Sequence, residues 1–137
     1  MKKFFTLLAS LVMVFVVSSG FISCADDEEE TVIDETFTIH ASTYQYTSFS
    51  LNRTATVSVN VNVTSGSGVS VYLFNDTQFG IYKMESVSKF QYYTALSSDT
   101  PVTTLKKSAS LNSGNWHIVV QNASDSSQIA SVKITAE

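Results

Sequence analysis

The chain has 137 residues, eight basic and twelve acidic, for a net charge of −4, and 44% of its residues are hydrophobic. That length allows one domain, and the single cysteine excludes an intrachain disulfide. From Thr31 onward six basic residues stand against seven acidic ones, so there is no basic footprint for nucleic acid.

The N-terminus reads as a secretory signal. Met1, Lys2 and Lys3 form a short basic start, residues 4–17 carry no charge, and Ser18, Ser19 and Gly20 make a small polar break. A retained membrane anchor is the competing reading, since residues 4–23 are uncharged over roughly a bilayer's length. Phe21, Ile22, Ser23 and Cys24 resemble a lipobox, the motif cut by lipoprotein signal peptidase, with Phe21 where the pattern prefers Leu. The resemblance implies cleavage before Cys24 and a diacylglyceryl thioether on its sulfur. One acyl chain holds a protein marginally, whereas two or more hold it stably.

Asp26, Asp27, Glu28, Glu29 and Glu30 follow the anchor. Such a run repels itself and extends, and it disfavours docking by charge to anionic lipid. It also resembles the acidic signal that sends Bacteroidota-type lipoproteins to the outer face of the outer membrane; a plain spacer is the alternative. The expected organisation is a signal peptide at 1–23, an acidic tether at 24–34 and a folded domain at 35–137.

The folded part reads as short strands. From Thr36, Phe37, Ile39 and Ala41 alternate with polar residues. Tyr44 and Tyr46 share a face, then Phe49 and Leu51 do, which predicts a register change between the pairs. Residues 54–64 give the clearest strand, with Val57, Val59, Val61 and Val63 alternating with Ser and Asn. Ser65 to Gly68 make a turn, and residues 69–74 are a nearly continuous apolar strand. Residues 76–87 have a helical flavour, with Phe79, Tyr82 and Val87 on one side. Residues 90–96 read as a strand, 97–101 as a loop with the only proline, and 102–111 as one strand or two. A turn at 112–115 leads to a strand with Trp116, Ile118 and Val120 inward. A turn at 122–127 precedes the last strand, with Ala130, Val132 and Ile134 inward. About eight short strands and no long helix predict an all-β sandwich or barrel.

Three segments carry a family resemblance. Residues 44–51, the pair 57–63 and 69–76, and residues 111–122 are similar to strands of a jelly-roll-like β-sandwich group. That group includes the bacterial pre-peptidase C-terminal domains and the GOLD-like domains. The resemblance implies a single antiparallel, jelly-roll-like β-sandwich acting as an accessory module that binds proteins, glycans or surfaces.

Chemistry is sparse. His40 and His117 alternate with inward residues and are expected at the surface, too few for a metal site. Asp76, Asp99 and Asp125 sit in separate loops, where Asp ordinarily starts turns. Ser residues are too numerous for a triad to be assigned, and no cofactor is implied. Most aromatic rings are expected in the core. Tyr72, between Val71 and Leu73, and Tyr93, opposite in face to Tyr92, are the expected exposed rings and the weak ligand-binding candidates. The expected function is therefore a non-catalytic binding module on a lipid-anchored envelope lipoprotein, at the outer membrane and surface-exposed. Its partners are the membrane, through Cys24, and a protein or glycan ligand. A structural subunit of a surface assembly is the alternative.

Overall fold

The computed structural model describes residues 29–84 and 89–137. The expected signal peptide, Cys24 and most of the acidic run lie outside the described residues, as does Val87. Eight strands make up the described fold: β1 (Glu30–Ile39), β2 (Thr43–Leu51), β3 (Ala55–Ser65), β4 (Val69–Asn75), β5 (Ser98–Val102), β6 (Thr104–Leu111), β7 (Gly114–Asn122) and β8 (Gln128–Ala136). One short helix, α1 (Asp76–Tyr82), and a 3-10 turn (Thr94–Leu96) lie between β4 and β5.

The strands form two antiparallel four-stranded sheets, β1-β8-β3-β6 and β2-β7-β4-β5. Strand 1 pairs with 8, 2 with 7, 3 with 6 and 4 with 5. This is a long hairpin folded over on itself, the jelly-roll arrangement. Each sheet turns one face inward, so alternation decides the core. Val57, Val59 and Val61 of β3, Ile118 and Val120 of β7, and Val132 and Ile134 of β8 are all buried there.

Several expectations are corrected. The acidic tether expected at 24–34 is shorter, because β1 begins at Glu30 and Val32 and Ile33 are buried. A register shift between Thr31 and Ile33 marks a bulge, which lets two consecutive residues both reach the core and hides the alternation. In β2 no register change occurs. The strand pairs with β7 without interruption, with Thr47, Phe49 and Leu51 inward and the tyrosines on the other face. Residues 90–96 are not a strand. Phe90 and Tyr92 join a cluster outside the second sheet while Tyr93 packs on the main core, and the chain between them makes the 3-10 turn. Residues 98–101, expected as a loop, form β5 together with Val102. Pro101 is tolerated there because β5 is an edge strand.

The end of the sandwich that carries Glu30 also carries the 52–54 turn, the start of α1, the 112–113 turn and Glu137. The opposite end carries the turns at 40–42, 66–68 and 123–127.

Candidate functional site

Two features stand apart from the main core. The first is an aromatic layer on the outer face of the second sheet. β4 is buried at six consecutive positions, five of them apolar and the sixth Ser70, so both its faces need cover. The inward face meets the other sheet. The outward face, Tyr72 and Phe74, is covered by α1 and by Phe90 and Tyr92.

α1 starts because Asn75 caps it. The Asn75 side chain accepts from the Gln78 N–H, and Gln78 accepts from the Asn75 N–H, the reciprocal capping box. Phe79 and Tyr82 then point down onto the sheet. Tyr46 and Phe79 lie 4.8 Å apart between ring centroids, Phe74 and Tyr82 4.9 Å. The Tyr82 hydroxyl donates to Gln121 at 3.0 Å. Burial pushes the Tyr82 phenol well above its ordinary value, so it stays a neutral donor.

His117 joins this layer to a polar line. It stacks on Phe79 at 4.4 Å and is half-buried, not on the open surface as expected. A carboxylate only accepts, so Nε2 donates to Asp76 Oδ1 at 2.6 Å, and Nδ1 accepts from the Ser48 hydroxyl at 2.6 Å. Asn115 Nδ2 donates to the second Asp76 oxygen at 3.1 Å and its own carbonyl accepts from Ser50 at 2.7 Å. The bonds from His117 and Asn115 hold the Asp76 carboxyl below its usual range. No triad was assigned from the sequence, yet Ser48, His117 and Asp76 are hydrogen-bonded in line, the residue types of a hydrolytic triad. Sheet register accounts for the line, because Ser48 and His117 are direct cross-strand partners. Asp76 is the first residue of α1, with a side chain 63% exposed. The arrangement clamps α1 to β2 and β7.

The ligand candidates fall differently from expectation. Tyr72 is 7% exposed and sits inside the aromatic layer, 5.1 Å from both Phe90 and Tyr92. Its expected exposure is wrong, because a second layer covers that face. Tyr93 is half-buried, packs edge-on to Trp116 at 5.8 Å and donates its hydroxyl to the Ser110 carbonyl at 3.0 Å. Its backbone N–H bonds Leu73, and Ser97 bonds both the Leu73 N–H and the Tyr93 carbonyl. Both rings are thus structural in position. Among the described residues, the exposed large apolar side chains are Tyr44, Ile81, Met84 and Ile129. The nearly continuous apolar run of β4, followed by the aromatics of 79–93, was the signal that a second layer existed.

The second feature is a buried polar knot at the end opposite Glu30. Asn122 is fully buried and donates to the carbonyls of Ile39, His40 and Ser126. Its own carbonyl accepts from the Ser124 N–H and hydroxyl and from Gln128. Gln128, also fully buried, accepts from the Gly68 N–H at 2.8 Å. Two side chains therefore tie together three turns. Gly66, at φ 128°, has to be glycine: a Cβ there would lie 2.5 Å from the Gln128 side chain. His40 meets Ser127 at 3.3 Å at the surface of this end. Asp99 and Asp125 remain exposed and separate, and no group of three or more His, Cys, Asp or Glu that could hold a metal ion occurs among the described residues.

No family model and no curated protein matches the chain. Among solved structures, a periplasmic inhibitor of g-type lysozyme from Salmonella Typhimurium matches at 17% identity and a TM-score of 0.43, over 77% of this chain and 86% of that one. The pre-peptidase C-terminal domain of a collagenase from Bacillus anthracis matches at 9% identity and a TM-score of 0.53, over 74% of this chain and 87% of that one. The folded part of this chain is thus a β-sandwich that resembles pre-peptidase C-terminal domains in fold.

Proposed function

We propose that the chain is a cell-envelope lipoprotein, held in the outer membrane by acyl chains on Cys24, whose β-sandwich is a non-catalytic binding module. The observation that carries this reading is the order of the N-terminal residues: basic start, uncharged stretch, small break, then Cys24 followed by acids. The start of β1 at Glu30 supports it. Five residues, 25–29, separate Cys24 from the sheet, a reach of at most about 20 Å. The Glu30 end then faces the membrane, and the turns pinned by Asn122 and Gln128 face away from it. A rigid scaffold that presents turns to solvent is the usual layout of a binding module. The ligand is a protein or a glycan.

Replacing the anchor tests the reading. Cys24→Ala should move the protein from the membrane fraction to the soluble one, and equal membrane retention of the variant contradicts anchoring at Cys24. The non-catalytic part has its own test. A fluorophosphonate probe should leave Ser48 unlabelled in the purified protein, and covalent labelling lost in His117→Ala would make the Ser48 line an active site.

A further inference from the structure

A two-sheet sandwich leaves four edges, and an open edge is a template for another strand. Here the four edges differ. β1 carries the bulge beside Val32 and turns Glu35 toward the interior. The buried Glu35 Oε1 has no hydrogen-bond partner among the described residues, and an inward-pointing charge is a known guard of edges. β6 carries Lys106 and Lys107. β5 has five residues, one of them Pro101, and a shifted register. β2 has none of these devices. Its nine residues hold no charge and no proline, and its pairing with β7 is regular throughout.

The groups that would take another strand can be assigned. The Leu73 N–H and C=O bond Ser97 and Tyr93, away from β7, so the backbone groups of its β7 partner Ile118 turn toward β2 and pair with those of Thr47. Backbone groups alternate along a strand, so those of Tyr46, Ser48 and Ser50 point to the open edge. We infer that β2 is a docking edge that takes an extended segment of a partner polypeptide as a fifth strand of the second sheet. Main-chain bonds hold such a segment, and alternate side chains select it. On the outer face the neighbours are the rings of Tyr44 and Tyr46, which fit aromatic or β-branched residues at every second position.

The occupant is a different chain and not a second copy. Two copies related by a two-fold axis pair β2 antiparallel, which sends their Glu30 ends in opposite directions. A nine-residue strand is about 30 Å long, longer than the reach of about 20 Å from Cys24 to Glu30. With both copies upright on one membrane, only one could anchor. This step rests on lipidation of Cys24, which the mass of the Cys24 peptide reads separately.

Hydrogen–deuterium exchange tests the edge, comparing full-length protein in native envelope membranes with the detergent-purified protein at low concentration. Exchange of the β2 amides of Tyr46, Ser48 and Ser50 should be at least tenfold slower in the membranes, with the β6 edge unchanged. Ser48→Pro, which removes one outward N–H at a tolerated edge position, should abolish that difference at Tyr46 and Ser50. Equal rates in both preparations overturn the proposal. So does protection that appears in detergent as concentration rises, which assigns the edge to a second copy. Membrane protection that persists in Ser48→Pro overturns it as well.

Discussion

At the scale of single residues, the polar groups inside the molecule divide into satisfied and unsatisfied ones. Asn122 uses both its amide nitrogen and its carbonyl in full. Asn122→Ala would take the Asn122 donor from the carbonyls of Ile39 and Ser126 and one of two acceptors from the Gln128 amide. Each lost bond to a buried group costs about 1–3 kcal/mol, so denaturant unfolding should show a loss of about 3 kcal/mol. Glu35 is the opposite case. Burial raises its pKa with no partner to offset the cost. A carboxyl whose folded pKa lies above its unfolded one is penalised once pH exceeds the unfolded value. Glu35→Gln should therefore stabilise the fold at pH 7, with the gain shrinking as pH falls through the carboxylate range. Urea titrations at pH 7 and pH 4 check this, and an equal gain at both would refute the assignment. The same variant should aggregate more readily, because it removes an edge guard. Neither role was visible in the sequence. Asn122 reads as one more turn residue, and Glu35 shares the inward phase of Phe37 and Ile39 but is a charged residue beside the expected tether.

At the scale of elements, α1 is too short to persist alone and is held by its cap, by Phe79 and Tyr82 on the sheet, and by the His117–Asp76 contact. Because Asp76 is held below the usual carboxylate range, its share of the docking is present above that range and is lost as pH falls through the depressed folded value. The aromatic near-ultraviolet circular dichroism signal should report loosening of the layer in acid. In Asp76→Asn that acid dependence should disappear. Phe79→Ala should cost about 3 kcal/mol while the far-ultraviolet strand signal stays. β3 and β8, each with one covered face, were legible from their period-two pattern, as were the inward residues of β7, whose outer face lies under the aromatic layer. β4 was legible as a strand, but the cover on its second face was not, so Tyr72 was misplaced. β5 was missed because Pro101 and a polar composition describe an edge strand and a loop equally well. The segment around Phe90 failed for another reason: its alternating aromatics serve two different cores.

At the scale of the whole molecule, the jelly roll follows from the count of short strands only as a class. The pairing of 1 with 8 and 2 with 7 depends on contacts distant in sequence, which no local pattern encodes. The candidate site was less legible than the fold. Both aromatic candidates proved to be packing residues, and the polar line through His117 came from register alone. Under the proposed anchoring, the topology orders the molecule: the Glu30 end faces the membrane, and the pinned turns lie at the far end. That order rests on the acylation of Cys24. The most direct measurement is the mass of the N-terminal peptide of the protein isolated from envelope membranes. The account predicts a peptide that begins at Cys24 and carries acyl chains on its sulfur and amine. An unmodified Cys24 still joined to residues 1–23 would contradict it.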